Sequence, residues 1–490
     1  MKALPRYLLP RLRDTLFISL LAGVLLYGPR LFNLDGDLGR HITIGRYILA
    51  GMQIPTTDIF SHTLSGQPLT PHEWLAQVIF AAAHAALGLG GPVLVTALVV
   101  AVSFTLVYLD SQRRSRTTLI ALGISILAAA ASSLHWLARP HVFTFLYLAV
   151  WVWMLERLRR GEAIPVRYFG LVMLLWANTH GAFIAGFVAW GAYLGGDLLE
   201  AWSRGRWLPE RLGLWSGIGL LSFAVTFINP AGARLWETSF GFVGNEYLVS
   251  HTHEYQPPNF HQPGTWPFLI MVSLSVLALG LKKGRLPAGH ALLLAGWTAM
   301  GLYSARNIPL YAIVAAPVLS ETVAGLASGW FRWAVVEKNI RGIESGLRGW
   351  VWPGVSLILG TILLASPAMR AYNAYDPAVF PVKAADWLES HPQEGNVFNY
   401  FPWGGYLLYR FWPEQRVFID GQTDFYGESL TREYEQVLTL SDGMDGVLEK
   451  YAVDWVIFPA NEALADTLMK DGRWNRVYSD ETTAIFRLER

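Results

Sequence analysis

Two aspartates stand two residues apart directly after the first long apolar run of the chain. Asp35 and Asp37 open a polar segment, 35–72, that separates this run from the next apolar stretch. Two carboxylates at this spacing can share one cation, so the pair is a candidate catalytic or metal-binding site. An Asp at a helix start also caps free backbone amides and suits the helix dipole, and that structural role stays open.

A further acid, Glu73, follows His72 at the end of the same segment, in the sequence HEWL. It stands at the head of a short apolar stretch, 73–88. A functional role and a helix cap beside Trp74 at the membrane interface are both consistent with this position. Glu73 is therefore kept as a candidate catalytic residue.

Short turns between the later apolar runs carry polar groups that a simple helix bundle does not need. They are Arg139 and His141 in ARPH, Asn178, Thr179 and His180 in WANTHG, Asn229 in INPAG, and Arg306 and Asn307 in ARN. Each group alone is explained by a side chain that reaches the lipid headgroups. Their joint placement predicts a polar binding site built from several turns.

One connection, 230–264, is too long to be a simple turn and is rich in reactive side chains. It contains Glu246, His251, His253 and Glu254. Loops of this length are usually functional or disordered. These residues do not form the HExxH pattern of zinc proteases, but they are candidate metal ligands, acid–base groups or substrate contacts.

Lys and Arg lie in clusters at the ends of the apolar runs. The clusters are Lys2/Arg6/Arg11/Arg13, Arg113/Arg114/Arg116, Arg157/Arg159/Arg160, Arg167, Arg204/Arg206/Arg211, Lys282/Lys283/Arg285, Arg332/Lys338 and Arg341/Arg348. Clusters of this kind mark the cytoplasmic flanks of membrane helices. Placing all of them inside leaves Asp35 and Asp37 outside, with Arg139 and Arg306 as exceptions in short external turns. A basic group in an external turn suggests that it binds an anion, such as a phosphate or pyrophosphate headgroup at the outer leaflet.

The composition is that of a membrane protein. Hydrophobic residues make up 53% of the 490, charged residues make up 15%, and the mean hydropathy is +0.32. A soluble chain carries about 25% charged residues. The net charge of +1 does not indicate a nucleic-acid partner, and the lack of Cys excludes disulfides, thiol nucleophiles and Cys-based zinc sites.

The apolar runs predict eleven membrane spans, the first of them an uncleaved signal anchor. The predicted spans are 14–34, 91–110, 117–137, 141–156, 166–179, 181–199, 211–229, 265–281, 287–304, 306–327 and 350–370. The stretch 73–88 is interpreted as interfacial or re-entrant, because a full span there would place the Arg113 cluster outside. If it does cross, the count becomes twelve and another short segment must fail to cross.

After residue 370 the composition changes to mixed charge with Pro, Asn and Asp. Strands are predicted at 396–400, 416–420, 454–458, 474–479 and 483–489, with helices near 380–390, 404–412 and 461–470 and between 420 and 451. The alternation predicts a soluble α/β domain, 371–490, outside the membrane and beyond a membrane domain, 1–370. Its DGQTDFYG segment, which holds Asp420, Asp424 and Tyr426, is interpreted as a Gly-rich turn, although loops after strands often bind ligands.

The layout and the local sequence resemble the GT-C superfamily of polytopic glycosyltransferases, which use polyprenyl-phosphate sugars outside the membrane. The resemblance rests on the acidic pair, on GRHITIGRYILAGMQIPTTDIFSHT and HEWLAQ, on the turns RPHVF, WANTHG, INPAG and ARNIPL, and on WGGYLLYR and RVFIDGQTDFYG. The sequence looks like that of many uncharacterised bacterial members, and it resembles mannosyltransferases that use dolichyl- or polyprenyl-phosphate sugars.

The resemblance implies a multi-pass protein of the cytoplasmic membrane that moves a sugar, hexosyl or pentosyl, from a polyprenyl-phosphate donor to an acceptor. The acceptor would be a lipid, glycan or protein on the outer face. Asp37 or Asp35 would serve as base or as ligand of a divalent cation, Mg²⁺ or Mn²⁺, and Arg306 or Arg139 would face the donor phosphate.

The WWDYG-type acceptor motif of oligosaccharyltransferases is missing from the sequence, which favours transfer of a single sugar. The alternatives are a non-catalytic membrane scaffold or receptor and a transporter of lipid-linked glycans with the same architecture. A transporter would be expected to carry acids or broken helices near the bilayer midplane, and the sequence gives no sign of them.

Overall fold

The computed structural model describes residues 8–282, 284–327, 331–349 and 351–489, and most of them are helical. In chain order the helices are α1 (Leu12–Tyr27), α2 (Arg30–Asn33), α3 (Asp37–Gly51), α4 (Trp74–Leu87), α5 (Gly90–Ser115), α6 (Thr118–Ser132), α7 (Val142–Arg159), α8 (Val166–Ala177), α9 (Ile184–Ser203), α10 (Leu212–Val225), α11 (Arg234–Val243), α12 (Glu246–His251), α13 (Trp266–Leu281), α14 (Ala288–Tyr303), α15 (Ile308–Ala327), α16 (Phe331–Gly346), α17 (Val351–Ala365), α18 (Pro367–Tyr372), α19 (Val382–Ser390), α20 (Gly404–Phe411), α21 (Thr423–Leu438), α22 (Met444–Lys450) and α23 (Ala463–Lys470). The strands are β1 (Asn396–Asn399), β2 (Val453–Pro459), β3 (Trp474–Ser479) and β4 (Thr483–Leu488).

Each predicted membrane span falls on a helix. Within the described residues, five helices are long and apolar enough to cross a bilayer, namely α5, α6, α9, α13 and α15 with the short turns that extend them. A sixth is added if α16 and α17, which are bent by 72° to each other, form one span. The other predicted spans fall on helices that are shorter or more charged, so the number of crossings stays a prediction.

The helices of the membrane part leave many large apolar side chains uncovered by protein. Leu220 on α10 is 70% exposed, Val276 on α13 is 69% exposed and Ile362 on α17 is 63% exposed. Soluble monomers rarely expose broad apolar surface, because water does not solvate it favourably. Lipid tails are the solvent that fits these helix faces.

The polar turns and the basic clusters lie at opposite ends of the same helices. Helix α7 begins just after Arg139 and ends among basic residues that pair with acids, such as Arg157 with Glu162 at 2.6 Å and Arg160 with Glu321 at 3.0 Å. A helix of its length spans roughly 27 Å, close to the thickness of a hydrocarbon core. This arrangement agrees with the prediction from the sequence that the basic clusters lie at one end of the membrane spans and the polar turns at the other.

Residues 35–72, named the first external loop after the prediction of their location, and the segment that follows them contain two helices that lie against each other. Helix α3 covers the first part of the loop, and α4 covers the segment interpreted as interfacial. Helix α4 packs between α3 and α5 and has 14 residues. At 1.5 Å per residue it is about 21 Å long, less than a bilayer core of about 30 Å. Its failure to cross the membrane stays a prediction.

The C-terminal domain, which the sequence predicts outside the membrane and which is named the outer domain here for that reason, is a mixed four-stranded sheet with helices on both faces. The strand order is β1-β2-β4-β3, with β1 parallel to β2 and β4 antiparallel to both of its neighbours. Successive residues of a strand point to opposite faces. On β2, Val456 and Phe458 join the core that α21, α22 and α23 share, while Trp455 and Ile457 join the larger core that reaches α19 and α20. The predicted small α/β domain is therefore confirmed.

The strand predicted at 416–420 is wrong, because this segment is extended but does not join the sheet. The Val417 N–H donates to the Phe60 carbonyl at 3.2 Å, and the Val417 carbonyl accepts from the His62 N–H at 3.0 Å. The Phe418 N–H donates to the side-chain oxygen of Asn399 at 2.8 Å. The first external loop and one amide side chain thus satisfy the backbone that a neighbouring strand would otherwise pair.

Glycines allow α3 and α20 to touch backbone to backbone. A methyl group at Gly39 would lie 2.3 Å from the Gly405 carbonyl oxygen, and one at Gly405 would lie 2.3 Å from the Gly36 carbonyl oxygen. Any side chain at these positions would separate the two helices. The contact fixes the outer domain on the first external loop, beside Asp35 and Asp37.

Candidate active site

Arg139 stands at the centre of three carboxylates that come from two different loops. Its Nη1 lies 2.5 Å from Asp35 Oδ2 and 2.5 Å from Glu254 Oε1, and its Nη2 lies 2.8 Å from Asp37 Oδ2. The turn that carries Arg139 is held against the end of the first span, because the Ala138 N–H donates to the Leu31 carbonyl at 2.8 Å. Residues that the sequence singled out separately therefore meet in one ionic cluster.

Asp35 both caps a helix and takes part in the cluster. Its Oδ1 accepts the Asp37 N–H at 2.9 Å, at the start of α3, while its other oxygen binds Arg139. Burial raises the pKa of Asp35 to about 6, Arg139 opposes this rise, and the charges of Asp37 and Glu254 add to it. The two roles weighed from the sequence are thus compatible in one side chain.

Arg306 extends the cluster toward solvent. Its Nη1 donates to the Tyr255 hydroxyl at 3.0 Å and lies 3.5 Å from Glu254 Oε2. The guanidinium also lies over the Tyr255 ring, 5.0 Å from its centroid. The Arg306 side chain is 30% exposed, compared with 20% for Arg139. Arg306 is therefore the more accessible cation of the pair.

Glu73 is surrounded by basic nitrogens that do not quite reach it. Arg40 Nη2 and His41 Nδ1 lie 3.7 and 3.8 Å from Oε2, and His72 Nε2 and His180 Nε2 lie 3.9 and 4.0 Å from Oε1. The carboxylate is 13% exposed and accepts no hydrogen bond from any side chain within the described residues. These gaps are too long for direct hydrogen bonds and are of the width that one bridging oxygen fills.

Two of the surrounding histidines are neutral rings. Burial lowers the pKa of His180 well below its ordinary value, and the Arg306 charge adds to this effect. Burial likewise lowers the pKa of His41, with Arg40 as the next cause. His180 Nδ1 accepts the Ala182 N–H at 3.3 Å, so the ring proton sits on Nε2, which faces Glu73.

The outer domain contributes residues to the same region. Arg40, which is buried, donates through Nη1 to the Gln422 side-chain oxygen at 2.9 Å, and its Nε lies 3.7 Å from Asp420 Oδ1. Burial raises the pKa of Asp420 to about 6, partly opposed by Arg40. His72 Nδ1 lies 3.7 Å from Asp424 Oδ2. The DGQTDFYG segment is a turn, as interpreted, only at residues 420–422, whereas Asp424 and Tyr426 lie at the start of α21. Through Gln422 the segment also lines the site.

The sequence reasoning missed Arg40 and Gln422. Arg40 looked like an ordinary helix residue, because nothing in GRHITIG shows that its neighbour across the interface is a carboxylate. A signal was present in the turn itself, where Asp420, Gly421 and Gln422 follow an extended apolar segment. Only the packing of α20 against α3 reveals that this turn faces the first external loop.

Some candidate residues serve mainly to shape the turns. Asn178 donates to the Leu174 and Ile228 carbonyls, both at 2.9 Å, and accepts from Trp74 Nε1 at 2.8 Å, which joins α8 to the start of α4. Asn229 donates to the Thr226 and Gly232 carbonyls and accepts from the Ala231 N–H.

Two histidines complete the set of predicted site residues. His141 is half-buried and donates through Nε2 to the His135 carbonyl at 2.7 Å. The side chain of His253 lies outside the described part of the structure.

The divalent cation expected at Asp35 and Asp37 does not fit their present surroundings. Both carboxylates bind the Arg139 guanidinium, which already supplies a positive charge between them. Within the described residues, no group of three or more His, Cys, Asp or Glu side chains is arranged to hold a metal ion. The metal role of the pair therefore stays a hypothesis, and the chemistry below does not use it.

Comparisons with known proteins show the fold. No family model and no curated protein matches the sequence. The chain is similar in structure to the oligosaccharyltransferase of Archaeoglobus fulgidus in the apo form, with a TM-score of 0.58 and 12% identity over 90% of this chain and 69% of that chain. A complex of the archaeal oligosaccharyltransferase AglB from Archaeoglobus fulgidus with an inhibitory peptide and a dolichol-phosphate gives a TM-score of 0.58 with 13% identity and the same coverage. ArnT from Cupriavidus metallidurans in the apo state gives a TM-score of 0.49 and 15% identity over 96% of this chain and 97% of that chain. The polytopic helical fold expected from the GT-C resemblance is thereby confirmed.

Proposed function

We propose that the chain is a membrane glycosyltransferase, which moves a sugar from a polyprenyl-phosphate donor to an acceptor hydroxyl at the outer face of the cytoplasmic membrane. The observation that carries the proposal is the convergence of Arg139 and Arg306 on Glu254, next to Asp35 and Asp37. Two arginines and several acids at the rim of a lipid-facing helix bundle suit a charged headgroup whose tail lies in the bilayer.

The donor phosphate would bind at Arg306, with Arg139 behind it. Arg306 is partly exposed and shares Glu254 with Arg139 through a contact of 3.5 Å, so an incoming phosphate can replace that weak contact with charge-assisted hydrogen bonds. Departure of the lipid phosphate from the sugar places negative charge on its oxygen. Fixed guanidinium groups in a site of low polarity stabilise that charge in the transition state.

Asp35 and Asp37 would hold Arg139 in place, and a carboxylate would take the proton of the acceptor hydroxyl. Asp37, which lies 2.8 Å from Arg139, and Glu73 are the two acids placed for this role. A single displacement at the anomeric carbon inverts its configuration. The stereochemistry is checked by NMR of the product, and retention would exclude this one-step reaction.

The fold supports this assignment by analogy. One solved relative in fold, the archaeal oligosaccharyltransferase AglB, has been captured with a dolichol-phosphate. A lipid-linked phosphate on the outer side of the membrane also suits the present chain, because nucleotide-activated sugars are not expected there. The outer domain packs on the first external loop and would lie on the same side.

The test is transfer of radiolabelled sugar from polyprenyl-phosphate donors by the full chain in lipid nanodiscs. Asp35→Asn and Asp37→Asn are each expected to lower turnover by roughly 100-fold, because they release Arg139 or remove a base. Asp442→Asn, at an exposed position of the outer domain, is the matched control and is expected to keep full activity. Full turnover in both site variants would contradict the mechanism and favour a scaffold or a transporter.

A further inference from the structure

The strongest unassigned feature is the region around Glu73, next to the turn of the outer domain that holds Gln422. A small cleft opens there between the first external loop and the outer domain. Its lining residues are Ile44, Pro55, Leu69, Thr70, Pro71, His72, Glu73, Gln77 and Gln422. We propose that this cleft is the acceptor subsite of the enzyme, that it takes an uncharged sugar hydroxyl, and that Glu73 removes the proton of that hydroxyl. This inference rests on the proposed function and extends it.

The first argument is the unmet hydrogen-bonding capacity of buried groups in the cleft. Gln77 is 4% exposed and its side-chain oxygen has no hydrogen-bond partner within the described residues. His41, whose Nδ1 lies 3.5 Å from Gln77 Nε2, does not line the cleft, but its Nε2 is also buried and without a partner in the described part of the chain. Buried polar groups without partners are rare and often mark a place where a ligand or water binds.

The second argument is the orientation of the histidines that flank Glu73. His72 Nε2 faces Glu73 Oε1 at 3.9 Å, while its Nδ1 lies 3.1 Å from the Thr70 carbonyl oxygen. The His180 Nε2–H faces the same carboxylate oxygen at 4.0 Å. Both gaps are longer than a hydrogen bond, and a hydroxyl oxygen between these atoms would donate to Glu73 and accept from His180.

The third argument is that the charged groups around this cleft are mainly acidic, unlike the region around Arg139 and Arg306. The acids near its mouth are Glu73, Asp420 and Asp424, and the cation that faces them is Arg40, which lies 3.7 Å from both Glu73 and Asp420. Excess negative charge repels a phosphate or a carboxylate. Amide and hydroxyl groups from Gln77, Gln422 and Thr70 instead match the neutral hydroxyls of a sugar.

The chemical step is balanced by these groups. The acceptor oxygen forms a bond to the anomeric carbon of the donor sugar, and the bond from that carbon to the phosphate oxygen breaks. The bonding electron pair leaves with the lipid phosphate toward Arg306. The hydroxyl proton passes to the Glu73 carboxylate, which later releases it to water. Arg40 faces Glu73 at 3.7 Å, and its positive charge stabilises the carboxylate form that accepts the proton.

The experiment compares Glu73→Gln with the matched control Glu237→Gln, an exposed acid on α11, in the full chain in nanodiscs. The probes are a radiolabelled polyprenyl-phosphate sugar as donor, methyl glycosides as uncharged acceptors, and sugar phosphates as charged ones. Binding of polyprenyl phosphate alone is measured in parallel. Glu73→Gln is expected to lower transfer by at least about 100-fold while the affinity for polyprenyl phosphate stays within about twofold. The control is expected to behave as the unaltered protein in both measurements.

A second variant tests the acceptor subsite in case Glu73→Gln loses activity because it does not fold. Gln422→Ala is expected to raise the acceptor KM by about tenfold and to leave the donor KM unchanged, because it removes a lining group and not the base. Unaltered transfer by Glu73→Gln, or preference for charged acceptors, would overturn the acceptor subsite while the glycosyltransferase proposal stands. Failure of the unaltered protein to use any polyprenyl-phosphate sugar would instead overturn the proposed function itself.

Discussion

Gly421 lies against the carboxylate of Asp37, so closely that a methyl group at position 421 would stand 1.6 Å from Asp37 Oδ1. The contact joins the outer domain to the first external loop at the edge of the Arg139 cluster. It leaves no room for a side chain, and the neighbouring residues Asp420 and Gln422 both face Arg40. The position of the outer domain and the position of the acid are therefore coupled.

Gly421→Ala is expected to lower transfer by about tenfold or more, because the domain must move away from Asp37 or the carboxylate must leave Arg139. Overpacking of this kind also costs about 1–3 kcal/mol of stability. Gly472→Ala is the control, since a methyl group there meets no atom within 4 Å. Turnover and thermal unfolding of the two variants are compared, and equal values would show that the contact is not required.

Arg306→Ala is expected to raise the donor KM by about tenfold with a smaller effect of the substitution on acceptor KM, since a charge-assisted contact to phosphate is lost. The donor KM of Arg306→Lys should lie between those of the unaltered protein and Arg306→Ala, because Lys keeps the charge but not the planar guanidinium. The control is Arg204→Ala, whose side chain is 67% exposed at the basic end of α9. A donor KM that does not respond to either Arg306 variant would contradict the phosphate role.

Asp420 should make stability depend on pH. Burial raises its pKa from 3.8 to about 6, so the folded state keeps a proton that the unfolded chain releases between these values. The stabilising contribution is full below pH 3.8 and falls as pH rises toward about 6. The free energy of unfolding of the unaltered protein, relative to Asp420→Asn, should therefore fall by about 1–3 kcal/mol between about pH 4 and about pH 7. Thermal melts in detergent measure it, and a constant difference across this range would contradict the pKa shift.

Removal of divalent cations with EDTA is expected to leave turnover within about twofold of its starting value. The reason is that the Arg139 guanidinium already lies between the Asp35 and Asp37 carboxylates, at 2.5 and 2.8 Å, where a cation would have to bind. Samples dialysed with and without the chelator provide the comparison. Loss of activity that Mg²⁺ or Mn²⁺ restores would instead show that a cation joins the two aspartates during the reaction.

The orientation in the membrane can be measured with single cysteines, because the natural chain has none. Gln67→Cys in the first external loop is expected to react with an impermeant maleimide added to intact cells. Ser203→Cys at the end of α9 should react only after the membrane is opened. Both positions are exposed in the protein. Labelling of residue 203 from outside would reverse the proposed orientation and move the site to the cytoplasm.

Much of the fold follows from local sequence, because span positions depend on runs of apolar residues and basic flanks. The helices and four of the five predicted strands appear where expected. The segment 416–420 has the pattern of a strand, yet its partners are Phe60 and His62 in a loop far away in the chain. Periodicity reports which residues suit an extended backbone and does not report which segment supplies the hydrogen bonds.

The residues of the candidate site also fall into two groups, those that the sequence could identify and those that only the structure reveals. Asp35, Arg139, Glu254 and Arg306 could be selected because charged groups at the ends of apolar runs are unusual, and the structure brings these four together. Arg40 gave no such signal, since one arginine in a polar loop is ordinary. Its burial against Gln422 depends on tertiary packing, which composition and spacing do not encode.

The glycine contact between α3 and α20 has a consequence for how the protein is made. Residues 36–39 are synthesised long before residues 404–422, which cover them. This side of the site therefore forms only after residues 404–422 have been made and have folded against α3. On the proposed function, a chain truncated before residue 404 is expected to transfer no sugar, because this wall of the site is missing.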